Sequence, residues 1–245
     1  MTTYNLGSLG TTPQTRTDTV SSGVNNTDIF QFTLGSTRNI NIALTGITGT
    51  EQAALSLFRD TNNNGVLDST DQRIVGTFDS GGDIEDDALI NYRSQAAGTY
   101  FAKVTYGAGS LVDYKISLSA TGAGSPSNLL PTEINVGNLN SQAYATFTDY
   151  ISNQDTVDTY KFNLNTDDVA FTASLTGLSA DADIRLIRDF NGNGVVDAGE
   201  RIASSALSGT SPEQINTTLD AGDYFIQVFQ YSGSTSYNLS LIALS

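Results

Sequence analysis

One pattern of short alternating segments is written twice in this chain, at an offset of about 130 residues, and that repeat limits the fold more than any other feature. Asn5-Leu-Gly7-Ser-Leu9 answers Asn135-Val-Gly137-Asn-Leu139, and Asp28-Ile-Phe30-Gln-Phe32 answers Asp158-Thr-Tyr160-Lys-Phe162. Leu44-Thr-Gly46 corresponds to Leu175-Thr-Gly177, Leu57-Phe-Arg59-Asp60 to Leu186-Ile-Arg188-Asp189, and Ala97-Gly98-Thr-Tyr100 to Ala221-Gly222-Asp-Tyr224. Each copy closes on a tyrosine segment, Tyr114-Lys-Ile116 and Tyr237-Asn-Leu239. Within the copies the apolar residues alternate with period two, as at Ile40, Ile42 and Leu44 or Tyr100, Ala102 and Val104. That spacing belongs to half-buried strands, and helical periodicity is not sustained anywhere over about 11 residues.

Between the copies runs Thr121-Gly-Ala-Gly-Ser-Pro126-Ser-Asn-Leu-Leu-Pro131, rich in turn and linker residues. The expected domains are therefore residues 1–122 and 130–245, joined by a linker at 123–129. Seven or eight short strands in about 115 residues suit a sandwich, whose two inner faces make the core. The expected class is all-β: two tandem antiparallel β-sandwich modules, jelly-roll-like, with EF-hand-like calcium loops between strands. The Ala-Gly-x-Tyr step reads as a tight turn into a strand whose ring packs at the core edge.

The loops are the chemically informative part. Asp60-Thr-Asn62-Asn-Asn64-Gly65-Val66-Leu-Asp68-Ser-Thr-Asp71 and Asp189-Phe-Asn191-Gly-Asn193-Gly194-Val195-Val-Asp197-Ala-Gly-Glu200 both place oxygen-bearing side chains at positions 1, 3, 5, 9 and 12. Glycine stands at position 6, where such a loop turns sharply. Calcium takes several hard oxygens at about 2.3–2.6 Å, some from backbone carbonyls. The expected ligands are Asp60, Asn62, Asn64, Asp68 and Asp71 with the carbonyl of Val66, then Asp189, Asn191, Asn193, Asp197 and Glu200 with the carbonyl of Val195. About one Ca²⁺ per module is expected, mainly structural. Loop two has the stronger claim, because Glu200 reaches further than Asp71. The valine after each glycine is expected to anchor its loop to the core. The alternative for each loop is a metal-free Asx-rich hairpin. Magnesium suits either loop less, since it demands a tighter octahedral shell.

A second acidic run, Asp79-Ser-Gly-Gly-Asp83-Ile-Glu85-Asp86-Asp87, reads as a solvated loop of like charges, with an extra cation site or a partner contact as alternatives. The whole chain has 26 acidic against 11 basic residues, a formal charge of -15. So negative a surface repels nucleic acid and anionic lipid, and self-repulsion favours a monomer. No apolar run approaches the roughly 18 residues needed to span a bilayer, so no membrane insertion is expected.

Cysteine and histidine are absent. That excludes disulfides, Ser-His-Asp and Cys-His catalysis, and histidine- or thiolate-bound zinc. A Ser-Lys base would have to use Lys103, Lys115 or Lys161, and the first two alternate with apolar strand positions. The chain is expected not to be an enzyme.

The ordered set Asp28…Phe30-x-Phe32, Leu44-Thr-Gly46, Ala97-Gly98-Thr-Tyr100 and Tyr114-x-Ile116 resembles the bacterial pre-peptidase C-terminal domain family. The second copy carries the set as Asp158, Tyr160, Phe162, Leu175-Thr-Gly177, Ala221-Gly222-Asp-Tyr224 and Tyr237-x-Leu239. The resemblance implies a β-sandwich, secreted or on the cell surface, accessory in role, sometimes calcium-binding and without catalysis of its own. The paired Asn-x-Gly-x-Leu openings and the Asn/Ser/Thr-rich style look like repeats of cyanobacterial surface proteins. The expected function is a calcium-binding accessory or adhesion module, extracellular or on the cell surface, with a surface polysaccharide or protein as partner. Export would proceed without a recognisable Sec signal, or as part of a longer secreted chain. The alternative is a carbohydrate-binding module, with Tyr106, Phe229 and Tyr231 as candidate stacking platforms.

Overall fold

The structure is a computed structural model and describes residues 1–78 and 88–244. The acidic run at 79–87 therefore lies outside the described residues. The chain separates into two compact units, 1–123 with 127–131, and 124–126 with 132–245.

The first unit contains β1 (Thr2–Ser8), β2 (Gln14–Ser21), β3 (Thr27–Leu34), β4 (Arg38–Thr45), β5 (Gln52–Arg59), β6 (Gln72–Phe78), β7 (Ala88–Gln95), β8 (Gly98–Ala108) and β9 (Leu111–Thr121). They form a sheet of order β1-β3-β8-β5-β6 and a sheet of order β2-β9-β4-β7. The second unit contains β10 (Ile134–Asn138), the short helix α1 (Leu139–Gln142), β11 (Tyr144–Ile151), β12 (Val157–Leu164), β13 (Val169–Thr176), β14 (Asp181–Ile187), β15 (Arg201–Ser205), β16 (Glu213–Leu219), β17 (Gly222–Ser232) and β18 (Thr235–Leu244). Its sheets, β10-β12-β17-β14-β15 and β11-β18-β13-β16, repeat the first unit strand for strand.

Alternation explains the layers. In β5, Ala53, Leu55 and Leu57 point inward and are fully buried. They meet Ile40, Ile42 and Leu44 of β4 in one apolar cluster, and the second unit builds the same cluster from Ala182, Ile184 and Leu186 with Phe171, Ala173 and Leu175. Burying each of these leucine, isoleucine and phenylalanine side chains contributes about 1.5–3 kcal/mol, which is how period-two spacing becomes two stacked sheets. The tyrosine of each Ala-Gly-x-Tyr step lies inside: Tyr100 stacks on Phe32 with centroids 5.8 Å apart, and Tyr224 on Phe162 at 5.5 Å.

Three features of the expected fold are corrected. The calcium loops were expected to be EF-hand-like, yet no helix flanks either of them. Loop one joins antiparallel β5 to β6, and loop two joins β14 to β15. The only helix among the described residues, α1, has four residues and follows β10, remote in sequence from both loops. Period-two flanks cannot present the apolar stripe that a helix pair needs. Secondly, the sheets are not wholly antiparallel, because β1 runs parallel to β3, and β10 to β12. After β1 the chain crosses to the other sheet as β2 and returns as β3, so its direction is restored. Thirdly, among the described residues nine strands divided five and four replace the seven or eight of a jelly-roll-like unit.

The Asn-x-Gly-x-Leu openings acquire a physical meaning here. Asn5 Oδ1 accepts the Gly7 amide at 2.9 Å, and Asn135 Oδ1 accepts Gly137 at 2.8 Å. Both glycines have positive φ, 71° and 76°, and the strand register shifts at both places. Each motif is thus an Asx turn that bulges an edge strand and delivers a buried leucine, Leu9 or Leu139, to the core.

Candidate functional site: two acidic loops and a carboxylate trio

Each loop follows an arginine that lies by the tyrosine of the Ala-Gly-x-Tyr step. Arg188 donates Nη1 to the Tyr224 hydroxyl at 3.2 Å and Nη2 to the Ala221 carbonyl at 2.9 Å. In the first unit Arg59 lies over the Tyr100 ring. The recurrent Leu-x-Arg-Asp thus ties a loop to the ring of the Ala-Gly-x-Tyr step.

The two loops share one hydrogen-bond pattern. Asp60 Oδ2 accepts the Gly65 amide at 2.9 Å, and Asp189 Oδ2 accepts Gly194 at 2.8 Å. Asn62 Oδ1 accepts Asn64 N and Asn64 Oδ1 accepts Val66 N, at 3.0 and 2.7 Å; Asn191 and Asn193 do the same for Asn193 N and Val195 N. The amide groups of Asn62 and Asn64 both donate to Asp68 Oδ2, and those of Asn191 and Asn193 to Asp197 Oδ2. The closing acids act alike: Asp71 takes the Thr61 and Asp68 amides, and Glu200 the Phe190 and Asp197 amides. Gly65 and Gly194 sit at φ 71° and 77°, where a side chain is strained.

The loops differ at their first residue. Asp60 is 4% exposed, and its Oδ1 is buried with no hydrogen-bond partner. A buried carboxyl oxygen without a donor costs free energy that a proton, a cation or an ordered water removes. In loop two, Asp189 Oδ1 accepts both Gly192 and Asn193 amides, at 2.8 and 3.2 Å. The unmet oxygen therefore belongs to loop one, although the length of Glu200 had given loop two the stronger claim. Asp68 is exposed, and hydrogen bonds from the Thr70 hydroxyl and amide, then from Asn64, hold its carboxyl down to about 2. Val66 does not anchor its loop, being 62% exposed, whereas Val195 is half-buried. With the carbonyl of position 7 among the expected ligands, its side chain is free to face solvent.

A third acidic site was missed in the sequence. Carboxylate oxygens of Glu133, Asp155 and Asp158 lie within 4.8 Å of one another, a convergence of three acids found only here among the described residues. Glu133 Oε2 accepts the Thr159 amide at 2.8 Å, and Asp158 accepts the Tyr237 hydroxyl, itself 2.7 Å from the Tyr160 hydroxyl. Burial, then the neighbouring acids, raises the carboxyl of Glu133 and that of Asp158 well above the usual range. Burial and then Asp149 raise Asp155 to about 6. The first unit has Thr3, Asn25 and Asp28 at the same positions, and there Asn25 Nδ2 donates to Asp28 Oδ1 at 3.0 Å. Where one copy has an amide donor, the other has a third acid. The signal was the pair Asn25/Asp155 read across the repeat, but its meaning depended on Glu133 arriving from the bend just before edge strand β10.

The architecture defines a class: tandem β-sandwich modules, each of two sheets around its own apolar core. Residues 26–105 and 156–230 match the bacterial pre-peptidase C-terminal domain, once in each unit and together over more than half the chain. The chain belongs to that family, as a tandem pair. Among solved structures it is similar to the pre-peptidase C-terminal domain of collagenase from Bacillus anthracis, with 19% identity, a TM-score of 0.36, and coverage of 44% of this chain and 92% of that one. It is also similar to Aeromonas hydrophila PliG, a periplasmic inhibitor of g-type lysozyme, at 19% identity and TM-score 0.33, covering 45% of this chain and 94% of that one. The CUB1-EGF-CUB2 domains of rat MASP-1 match at 8% identity and TM-score 0.29, covering 98% and 99%. No curated protein matches the chain. No helix among the described residues is long and apolar enough to cross a membrane.

Proposed function

We propose that this chain is a calcium-stabilised accessory or adhesion module, extracellular or on the cell surface, in which bound Ca²⁺ is structural. The two compact units act as the two modules. The observation that carries the reading is the buried, unpartnered Oδ1 of Asp60 at the head of an oxygen-rich loop. Asp60, Asn62, Asn64, Asp68 and Asp71 with the Val66 carbonyl would hold one ion. Asp189, Asn191, Asn193, Asp197 and Glu200 with the Val195 carbonyl would hold the second. The bound ion supplies positive charge to each loop and cross-links its two ends; it performs no reaction. Membership of a family of accessory domains supports the surface location, as does the fact that extracellular calcium reaches the millimolar range that weak sites require.

An ion bound by the folded state alone stabilises it by about RT ln(1 + [L]/Kd). Calcium at 2 mM should therefore raise the melting temperature above its value in EDTA, with magnesium giving a smaller rise. Asp60→Asn should remove part of the increment, and Asp60→Asn with Asp189→Asn most of it. A melting curve indifferent to calcium, or equal increments in the double variant and the parent, contradicts loop binding.

The carbohydrate-binding alternative loses one platform and keeps another. Phe229 is buried, whereas Tyr231 is 54% exposed. A glycan array in calcium separates the readings: selective sugar binding abolished by Tyr231→Ala favours the alternative.

A further inference from the structure

On β14, Asp181 and Asp183 alternate with the core residues Ala182 and Ile184. Outward carboxylates on a strand ordinarily stand in water. Asp183 is only 4% exposed and lines a pocket of about 200 Å³, whose other walls are Asp181, Ala206, Leu207, Ser208 and Tyr231. It has no hydrogen-bond or ion-pair partner among the described residues, where Arg16–Asp18 is the only ion pair. Its neighbours are committed elsewhere. Asp181 Oδ2 accepts the Gly209 amide at 2.9 Å, and Glu213 accepts the Leu207 amide at 2.8 Å and the Ser205 hydroxyl. Arg185, two residues along the same face, donates Nε and Nη2 to Gln227 Oε1 at 2.8 and 2.5 Å. Burial, then Asp181 and Glu213, pushes the Asp183 carboxyl up to about 7, a strain that a positive neighbour would relieve.

The first unit serves as an internal control. Backbone pairing puts Gln52, Ala54 and Ala88 at the positions of Asp181, Asp183 and Glu213, and Gly107 at that of Tyr231. At these four described positions the first unit carries neither acid nor ring. We propose that this pocket of the second unit binds an organic monocation, an ammonium or guanidinium group on a short apolar stem, with Asp183 as its counter-ion. Tyr231 and Leu207 flank the stem, and Asp181 adds negative charge. The space is that of a side chain rather than of a bare ion. Calcium would need six to eight oxygens, and the pocket walls include only two carboxylates. A charge-assisted hydrogen bond in a site shielded from water, with an aromatic ring nearby, is what such a cation is attracted to. A free amine and a Lys or Arg side chain of a polypeptide share this chemistry.

Titration of the ¹⁵N-labelled full chain, in calcium-containing buffer, tests the proposal with butylammonium, butylguanidinium, neutral 1-butanol and a capped Gly-Arg-Gly peptide. Saturable shifts are expected for the amides of Asp183, Ser208 and Tyr231 with the cations and not with butanol, while the first unit stays unmoved. Asp183→Asn, isosteric and free of the buried charge, should weaken cation binding at least tenfold, with its spectrum confirming the fold. Tighter binding of the peptide than of butylguanidinium identifies a polypeptide side chain as the source, and equal or weaker binding identifies a free amine. No saturable shift, an equal response to butanol, or undiminished binding by Asp183→Asn overturns it.

Discussion

At the scale of single residues, the repeat turns the protein into its own mutational comparison. Thr3, Asn25 and Asp28 against Glu133, Asp155 and Asp158, or Ala54 against Asp183, show which polar groups the fold needs and which it only tolerates. Asp183 carries a pH prediction. Its carboxyl rises from 3.8 to about 7 on folding, so its contribution is intact below about pH 3.8 and is lost as the pH rises through 7. Asp183→Asn should therefore melt a few degrees higher than the parent at pH 8 and at nearly the same temperature at pH 4; a lower melting temperature at pH 8 contradicts it. Backbone conformation gives a second residue-level outcome. Gly65→Ala and Gly194→Ala place a Cβ at φ 71° and 77°, and each should cost about 1 kcal/mol. Both effects are read by chemical denaturation.

At the scale of elements, strands were legible because alternation reports burial directly: Leu55 and Leu57, or Ile184 and Leu186, lie in the core that their spacing required. Truncating one, as in Leu57→Ala, should cost about 2–5 kcal/mol in its own unit. The parallel pairing of β1 with β3 was not legible, since a strand's direction depends on which sheet its successor joins. Nor was the outer face of β4 and β9 readable. Asn41 is fully buried there and donates to Ser119 and Thr121 at 3.3 and 3.2 Å, while Asn128 accepts from the Ser119 hydroxyl and donates to the Thr11 carbonyl. Residues 127–131, in sequence a linker-like stretch, thus close over the first unit. The loops were legible as oxygen-rich turns with glycine at position 6. The orphaned oxygen of Asp60 was not, because nothing in one-dimensional spacing separates Asp60 from Asp189. Replacing Asp189 with Ala should weaken calcium binding in loop two more than Asn191→Ala, since it removes a charge as well as a ligand; calcium titration of the two variants decides the order.

At the scale of the whole molecule, two units of one topology, each with its own apolar cluster, should unfold separately. Fragments 1–131 and 132–245 are expected to fold cooperatively on their own, and a fragment lacking a sigmoidal transition would contradict independent modules. The charge of -15 attracts cations to the chain as a whole and opposes self-association, so a monomer is expected by sedimentation. The central claim, that calcium holds these modules in their folded form, is tested most directly by isothermal titration of the intact chain with Ca²⁺. The account predicts about two ions per chain, with binding reduced to background when Asp60→Asn and Asp189→Asn are combined. Fewer than one ion at millimolar calcium, or unchanged binding in that double variant, would contradict it.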